Sequence, residues 1–322
     1  MTAGRTEAAP AAPAAPAAQA APPRIAAVVL SFNQREQTLR CLRRLLALAA
    51  TDGAFDVLLW DNGSNDGTAA AVRAAFPGVV VHACPENLGV ARGRNAGAKR
   101  AIAAFAPELL LFLDNDIVVE PGFVAALAAP FPAPGGERIG QTQAKLRLAD
   151  RPDVLNDGGG CRIQFWLGRT RPVGYGEVDR GQRDTPTRCV ACGGAMMVRT
   201  HVFTALGGFD ERFSPYGPED LDFSLRLQKA GWEAWYMPRA VGLHDVNHTF
   251  GSAGYTEDYA THRARHWMTL MRRHASLVDW VGFACIGVPL IAGRVLVREA
   301  RKGNLAALRG LVRGGLGRSK RE

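Results

Sequence analysis

Two aspartates two residues apart, Asp114 and Asp116, follow the apolar run Leu109-Leu110-Leu111-Phe112-Leu113. Carboxylate oxygens so spaced at the end of a buried strand suit a hard divalent cation, Mg²⁺ or Mn²⁺, which keeps positions open for phosphate oxygens. A departing diphosphate needs that charge. At about 4 Å and an effective dielectric of about 20, each unit-charge contact is worth about 4 kcal/mol. A solvated Asp/Asn turn is the plainer reading of the same residues, and the buried strand ahead of them favours the cation. Acids recur in Pro215-Tyr216-Gly217-Pro218-Glu219-Asp220-Leu221-Asp222. Glu219 and Asp220 in the first turn of a helix complement its dipole. The chemical alternative makes one of them a general base, kept ionised by that dipole. Asp222 and Arg226, four apart, read as a helix-surface pair.

Two further clusters could bind rather than react. Asp61-Asn62-Gly63-Ser64-Asn65-Asp66-Gly67-Thr68 is a turn on its Asn-Gly and Asp-Gly pairs. Asp61 either closes that turn or accepts from a nucleobase N–H or a ribose hydroxyl. In Glu86-Asn87-Leu88-Gly89-Val90-Ala91-Arg92-Gly93-Arg94-Asn95, Arg92 and Arg94 enter a helix N-terminus. They form an anion site there, or are simply solvated.

The elements that must hold these groups are legible. Ile25 to Ser31 is a short apolar run, as in a strand buried on both faces. A helical pattern follows, with Leu39, Leu42, Leu46 and Ala49 on one face. Phe55 to Trp60, Val79 to His82 and Leu109 to Leu113 read as further strands. Between them, helices open at Gly67-Thr68 and run through Ala98, Ala101, Ile102 and Phe105. Such alternation predicts an α/β fold, a mostly parallel sheet with helices on both faces. Ligands of these sheets bind outside the carboxyl ends of the strands, where Ser31 to Asn33, Asp61 to Asp66, Glu86 to Asn95 and Asp114 to Asp116 all fall. Beyond Pro121, strands are expected over Ile139 to Leu148 and Cys189 to Val198, a Gly-rich turn over Asp157 to Cys161, and a helix from Pro218 to Lys229 capped by Gly231.

In that order the chain resembles family 2 glycosyltransferases, in particular their rhamnosyltransferase-like branch. The matching stretches are Val28-Val29-Leu30-Ser31-Phe32-Asn33, Asp61-Asn62-Gly63-Ser64, Asn87-Leu88-Gly89, Asp114-Asn115-Asp116, Gly207-Gly208-Phe209-Asp210-Glu211 and Glu219-Asp220. The resemblance implies a GT-A, Rossmann-like fold and inverting transfer from a nucleotide-sugar donor. It leans to dTDP-rhamnose, with a glycan or lipid-linked acceptor. It makes Asp61 the nucleobase partner, Asp114 and Asp116 the metal pair with Asp116 the more direct ligand, and His244 a third metal ligand. Asp220 becomes the base, with Glu219 as fallback. Ser31, Asn33, Asn87, Gly89, Arg92, Arg94 and Asp114 complete the donor site. A Gln-x-x-Arg-Trp motif, carried by processive members after the base, is absent, which implies addition of one sugar or a few. The non-catalytic rival, a protein that only binds a sugar nucleotide or lipid-linked glycan, would be expected to lack the base or the Asp-x-Asp pair. A dinucleotide-binding Gly-x-Gly-x-x-Gly is missing after the first strand.

The 322 residues are 47% hydrophobic, enough for a sizeable core. They divide into an Ala/Pro-rich leader expected to be disordered (1–24), a catalytic domain (25–262, with a nucleotide-sugar half 25–120 and an acceptor half 121–262) and a basic helical tail (263–322). Six scattered cysteines read as reduced; only Cys189 and Cys192 are close, and they read as two buried strand thiols. From Arg263 to Glu322, 13 Lys and Arg face three acids, while the rest of the chain is about neutral. Trp280 to Gly293 is apolar for 14 residues, short of the roughly 20 a span needs. The tail is therefore expected to lie as an interfacial helix on an anionic membrane, with packing on the catalytic domain as the alternative. That predicts a cytoplasmic protein, peripheral at the inner face of the membrane. Few aromatics accompany the basic residues, so nucleic acid is not expected as a partner.

Overall fold

The computed structural model describes residues 22–191, 193–215, 217–246, 257–302 and 306–315. Nearly all of the leader expected over 1–24, and Cys192 and Tyr216, lie outside the described residues. The first half alternates as expected: β1 (Ile25–Ser31), α1 (Arg35–Ala47), α2 (Ala49–Asp52), β2 (Asp56–Asp61), α3 (Thr68–Ala75), β3 (Val80–Ala83), α4 (Val90–Phe105) and β4 (Leu109–Asp114). β1 sits between β2 and β4, and β2 beside β3, all parallel. Apolar runs buried on both faces explain the arrangement. Ala27, Val29, Leu59 and Leu111 face Cys41, Leu42 and Leu45 of α1. Ala26, Val28, Leu58 and Leu110 face Ala98 and Ala101 of α4.

The buried stripe of α1 is rotated from the expected one. Thr38, Cys41, Leu42 and Leu45 are inside, Leu39 and Leu46 sit at the rim of the core, and Ala49 begins α2. Polar Thr38 is turned inward because its hydroxyl meets Ser31 Oγ at 2.8 Å and Asn115 Nδ2 at 2.9 Å.

The second half adds β5 (Ile117–Val119), α5 (Phe123–Ala128), β6 (Ile139–Leu148), β7 (Leu155–Asp157), β8 (Cys161–Gln164), β9 (Arg169–Pro172), β10 (Thr187–Arg188), β11 (Ala195–Arg199), α6 (Thr200–Ala205), α7 (Glu219–Lys229) and β12 (Glu233–His244). One sheet runs β10-β12-β6-β11-β4-β1-β2-β3. β11 lies antiparallel between β4 and β6, and β12 is parallel to β6. Pro238, Arg239 and Ala240 drop out of register between Met237 and Val241, after which the end of β12 also pairs with β5. β6 presents Gln143 and Lys145 to the segment that follows it. Gln143 donates to Asp157 at 2.6 Å, and buried Lys145 pairs with Asp179 at 3.1 Å and with Asp184. The strand expected from Cys189 starts only at Ala195; the residues before it form a loop onto α7. Burial pushes the Cys189 thiol up, as suits an inert core sulfur.

After β12 come α8 (Glu257–His274), α9 (Leu277–Gly282), a π-helical turn (Phe283–Gly287), α10 (Val288–Lys302) and α11 (Ala306–Gly315). The wide turn has a cause in Pro289, whose ring would press on the carbonyl of Cys285 in a regular helix. Because the helix runs through that turn, the apolar stretch extends from Leu277 to Val297. Its 21 residues are long enough to cross a membrane by length and composition, more than the 14 expected.

Candidate active site

The chemistry-bearing residues gather at one edge of the sheet. β1, β2 and β4 deliver Ser31, Asp61 and Asp114 at their carboxyl ends, in adjacent register. Side chains alternate past the end of β4, so Asn115 points back and its amide ties Gln34 and Thr38 to the strand end at 3.3 and 2.9 Å. Asp114 and Asp116 are left facing the cleft. The out-of-register segment of β12 brings His244 opposite Ile117. There His244 Nε2 is 3.5 Å from Asp116 Oδ1, and Asp245 N–H donates to the Asp116 carbonyl at 3.0 Å. Burial would lower the His244 pKa; the Asp116 carboxylate beside it outweighs that and raises it. The other ring nitrogen, Nδ1, meets Asn156 Oδ1 at 2.9 Å.

Arg94 is the hub. Nearly all of it is buried, and its guanidinium reaches Asp114 Oδ1 at 2.6 Å with one nitrogen and Glu219 Oε1 at 2.8 Å with another. Burial opposes its charge, but the carboxylates of Asp114 and Glu219 hold its proton more firmly than usual. Glu219 is itself buried, and its Oε2 has no hydrogen-bond partner among the described residues. Burial first, and then the nearby charge of Asp220, push its pKa up to about 8 against the pull of Arg94. Asp220, part-buried, is also raised by desolvation, although it accepts from Gly193 N–H at 2.5 Å and Leu221 N–H at 2.7 Å. Burial therefore dominates over the helix dipole, which alone would have kept both acids ionised. Gly194 is required for the close fit: a Cβ there would lie 2.1 Å from Asp114 Oδ2.

The loops beside this hub are held by their own polar groups. Asp61 Oδ1 accepts from Ser64 N–H at 3.1 Å, and Asn33 donates from its N–H to Ser64 Oγ at 2.7 Å. Asn87 Oδ1 accepts from Asn62 Nδ2 and from Gly89 N–H, both at 2.8 Å. Gly89 has φ 77°, and a Cβ on it would strike Pro215 Cα at 2.6 Å, so only glycine lets this loop close on the one preceding α7. Arg92 points elsewhere: it is exposed and 3.6 Å from Glu211, apart from the Arg94 hub.

Residues 22–274 match the family described as "Glycosyltransferase like family 2". The chain is a family 2 glycosyltransferase. This hexosyltransferase is 30% identical over 255 residues to an N-acetylglucosaminyl-diphospho-decaprenol L-rhamnosyltransferase of Mycobacterium tuberculosis, covering 73% of this chain and 81% of that protein. It is 28% identical to the O-antigen biosynthesis protein RfbC of Myxococcus xanthus over 80% of this chain and 19% of the relative. Its GT-A fold is shared with GalNAc-T7 solved with UDP, GalNAc and Mn²⁺ (TM-score 0.61, 16% identity, 78% of this chain and 48% of that one). It is shared too with a mannosyltransferase of Pyrobaculum calidifontis in complex with GDP-Man and Mn²⁺ (TM-score 0.57, 15% identity, 94% and 89%).

Of the glycosyltransferase's expected site residues, Arg94, Asp114, Glu219 and Asp220 form one charged hub, with Asp116 and His244 adjoining it. Ser31, Asn33, Asp61, Asn87 and Gly89 line the neighbouring strand-end loops. Sequence reasoning missed Gly193, Gly194 and Asn156. A Gly-Gly pair just ahead of an apolar run was the available signal for the first two; Asn156 lies 88 residues from His244 and had none. It also misread Asp222 as a surface group. Asp222 is fully buried and accepts from Arg226 Nε at 2.7 Å, Arg273 Nη1 at 2.7 Å and His274 Nε2 at 2.8 Å. These partners overcome its burial and lower its pKa.

Proposed function

We propose that the protein moves a sugar, with inversion, from a nucleoside-diphosphate sugar to a hydroxyl of a lipid-linked saccharide at the cytoplasmic face of the membrane. The observation that carries this is the hub itself: Arg94 bridges Asp114, on the donor side, to the acidic N-terminus of α7. Asp61, at the end of β2, suits a nucleobase or ribose donor group. The mycobacterial relative, named for L-rhamnosyl transfer onto N-acetylglucosaminyl-diphospho-decaprenol, favours dTDP-rhamnose as donor and a polyprenyl-diphosphate-linked GlcNAc as acceptor. The division into a nucleotide-sugar half (25–120), an acceptor half (121–262) and a membrane-associating tail (263–322) belongs to the same reading.

The residues fit a divalent cation. Asp116 and His244 offer one carboxylate oxygen and one imidazole nitrogen at 3.5 Å, with Asp114 beside them. Among the described residues no three His, Cys, Asp or Glu side chains converge tightly enough to make an all-protein cage. Mg²⁺ and Mn²⁺ are commonly held by one or two protein groups, with substrate phosphates and water filling the other positions. Held there, such an ion would supply positive charge against the departing diphosphate. Asp114, paired with Arg94 and lying against Gly194, would bind the donor's sugar or ribose. Asp220 takes the acceptor hydroxyl's proton as that oxygen bonds to the anomeric carbon and the bond to the diphosphate breaks. Glu219 is the poorer base, because Arg94 occupies one of its oxygens and the other is buried. A carboxyl raised toward neutral pH matches a base to its working pH better than an ordinary aspartate does.

Calorimetry with UDP, dTDP and GDP, with and without Mn²⁺, tests the donor site. One nucleotide should bind in a metal-dependent way and be lost in Asp116→Ala. If no nucleotide binds under any metal condition, the proposal fails, and a non-catalytic binding role replaces it.

A further inference from the structure

The helix from Leu277 to Val297 has two apolar faces, and the protein covers only one. Phe283 and Gly287 pack on the turn that closes the β8–β9 hairpin: a Cβ on Gly168 would meet Phe283 and Ile291 at 2.7 Å, and one on Gly287 would meet the Trp166 carbonyl at 2.7 Å. Further along, Ile291 and Val295 pack against Ala260 of α8 and Leu311 of α11. The opposite face carries Leu277, Val278, Val281, Ile286, Val288, Leu290, Leu296 and Val297, all exposed, and the sequence has no charge between Trp280 and Gly293. A helix this apolar on its outer side is unstable against water and marks an interaction surface.

Two observations say what covers it. The first is charge: Arg294 is exposed at the end of the apolar stretch, and residues 263–322 carry 13 Lys and Arg against three acids. That pattern complements an anionic bilayer, and it would repel a second copy of the same tail. The second is the set of contacts. A helix crossing the bilayer would drag with it α8, with Arg263, Arg265, Arg272 and Arg273, and the hairpin with its polar strands. Hydrocarbon tolerates neither.

We propose that this face lies in the plane of an anionic membrane surface, half-immersed and not spanning, with the Phe165–Leu167 turn and half-exposed Trp166 at its rim. The β8–β9 hairpin then links membrane to chemistry. Its base, Cys161 and Ile163, packs with Val190 against Leu221, the residue next to Asp220. A lipid-linked acceptor would climb along this hairpin from bilayer to base. That last step rests on the glycosyl-transfer reading; the docking does not.

The test uses the full chain and vesicles of phosphatidylcholine with or without phosphatidylglycerol. Wild type should co-sediment with the anionic vesicles and much less with the neutral ones. A fluorophore on exposed Cys285, identified against Cys285→Ser, should shift to the blue on binding. The double variant Ile286→Asp/Leu290→Asp should lose vesicle binding about tenfold or more while binding UDP or dTDP as wild type does. Alkaline carbonate should release the protein from native membranes. Equal binding by variant and wild type, or an unshifted Cys285 label, overturns the proposal. So does resistance to carbonate, which would mean a span. A lipid-free dimer that the double variant dissociates overturns it too, by assigning the face to a second copy. Vesicle binding without any nucleotide binding would leave the docking intact and sink the glycosyl-transfer reading instead.

Discussion

Helix α7 turns two carboxylate sites to opposite sides, and they are opposites electrically. Asp220 and Asp222 are two residues apart, about 200° around the helix. On the back, Asp222 is enclosed by Arg226, Arg273 and His274, and Arg273 also holds Asp210 at 2.6 Å. Arg212 pairs with Asp210 as well, so three guanidiniums face two carboxylates there; both aspartates are pulled below the ordinary range against their burial, and α7 is locked to the end of α8. At the cleft, Glu219 and Asp114 share the guanidinium of Arg94, and Asp220 feels its charge without pairing to it. Negative charge is in surplus, and the acids of α7 are pushed up. A surplus of partners makes a carboxylate structural; a deficit leaves it able to exchange a proton. Proximity to a helix N-terminus distinguishes neither.

The contrast is broken or sharpened by removing one charge from each side. The largest effect belongs to Asp220→Asn: kcat should fall about 10²- to 10⁴-fold with little change in thermal stability. A variant that keeps its turnover would mean the proton goes elsewhere, and the cleft face would lose its distinction. Asp222→Asn should do the reverse. Arg226 and Arg273 would lose their counter-charge and His274 its acceptor, and urea unfolding should show a loss of about 3–5 kcal/mol, with kcat per folded molecule kept. The smallest effect is a pH dependence. Glu219 holds its proton up to about 8, above its ordinary 4.5. The stability it contributes is therefore fully present below 4.5 and is lost as pH rises toward 8. Across that window the melting temperature of Glu219→Gln should rise relative to wild type as pH increases, whatever the offset at low pH. A gap constant with pH would show that Glu219 does not titrate there.

Most of the parallel half could be read in the chain because its signals are local. Four apolar runs, each ending in polar residues, fix both the strands and the edge at which ligands sit. Asp114 and Asp116 stand out by their position after the fourth apolar run, whereas the choice of Asp220 over Glu219 rests on the family resemblance. What was not legible depends on distance along the chain. Arg94 reads as a phosphate-binding arginine on a helix; its burial between Asp114 and Glu219 requires α7, 125 residues on, to pack against α4. Asp222 looks like half of an i,i+4 surface pair because Arg273 and His274 are about 50 residues away. The tail's apolar length was underestimated for a different reason. The charged Asp279 and Arg294 bound the run in the sequence, yet the apolar helix carries both near its ends and continues through Pro289 by way of a π-turn.

The register offset in β12 has a consequence for how freely this chain can vary in length. Up to Met237 the strand belongs to the core; from Val241 it belongs to the site, where His244 must face Asp116. Facing on a strand alternates with every residue, so adding or deleting one residue between Val241 and His244 would turn the imidazole to the wrong side. Of the three residues outside the ladder, Pro238 and Ala240 are buried, Ala240 within the main core, and Arg239 is exposed. The offset is a joint gripped on both sides of one free residue: Arg239 is the point at which the count could change with the least disturbance to what is packed before it and to the facing of His244 after it.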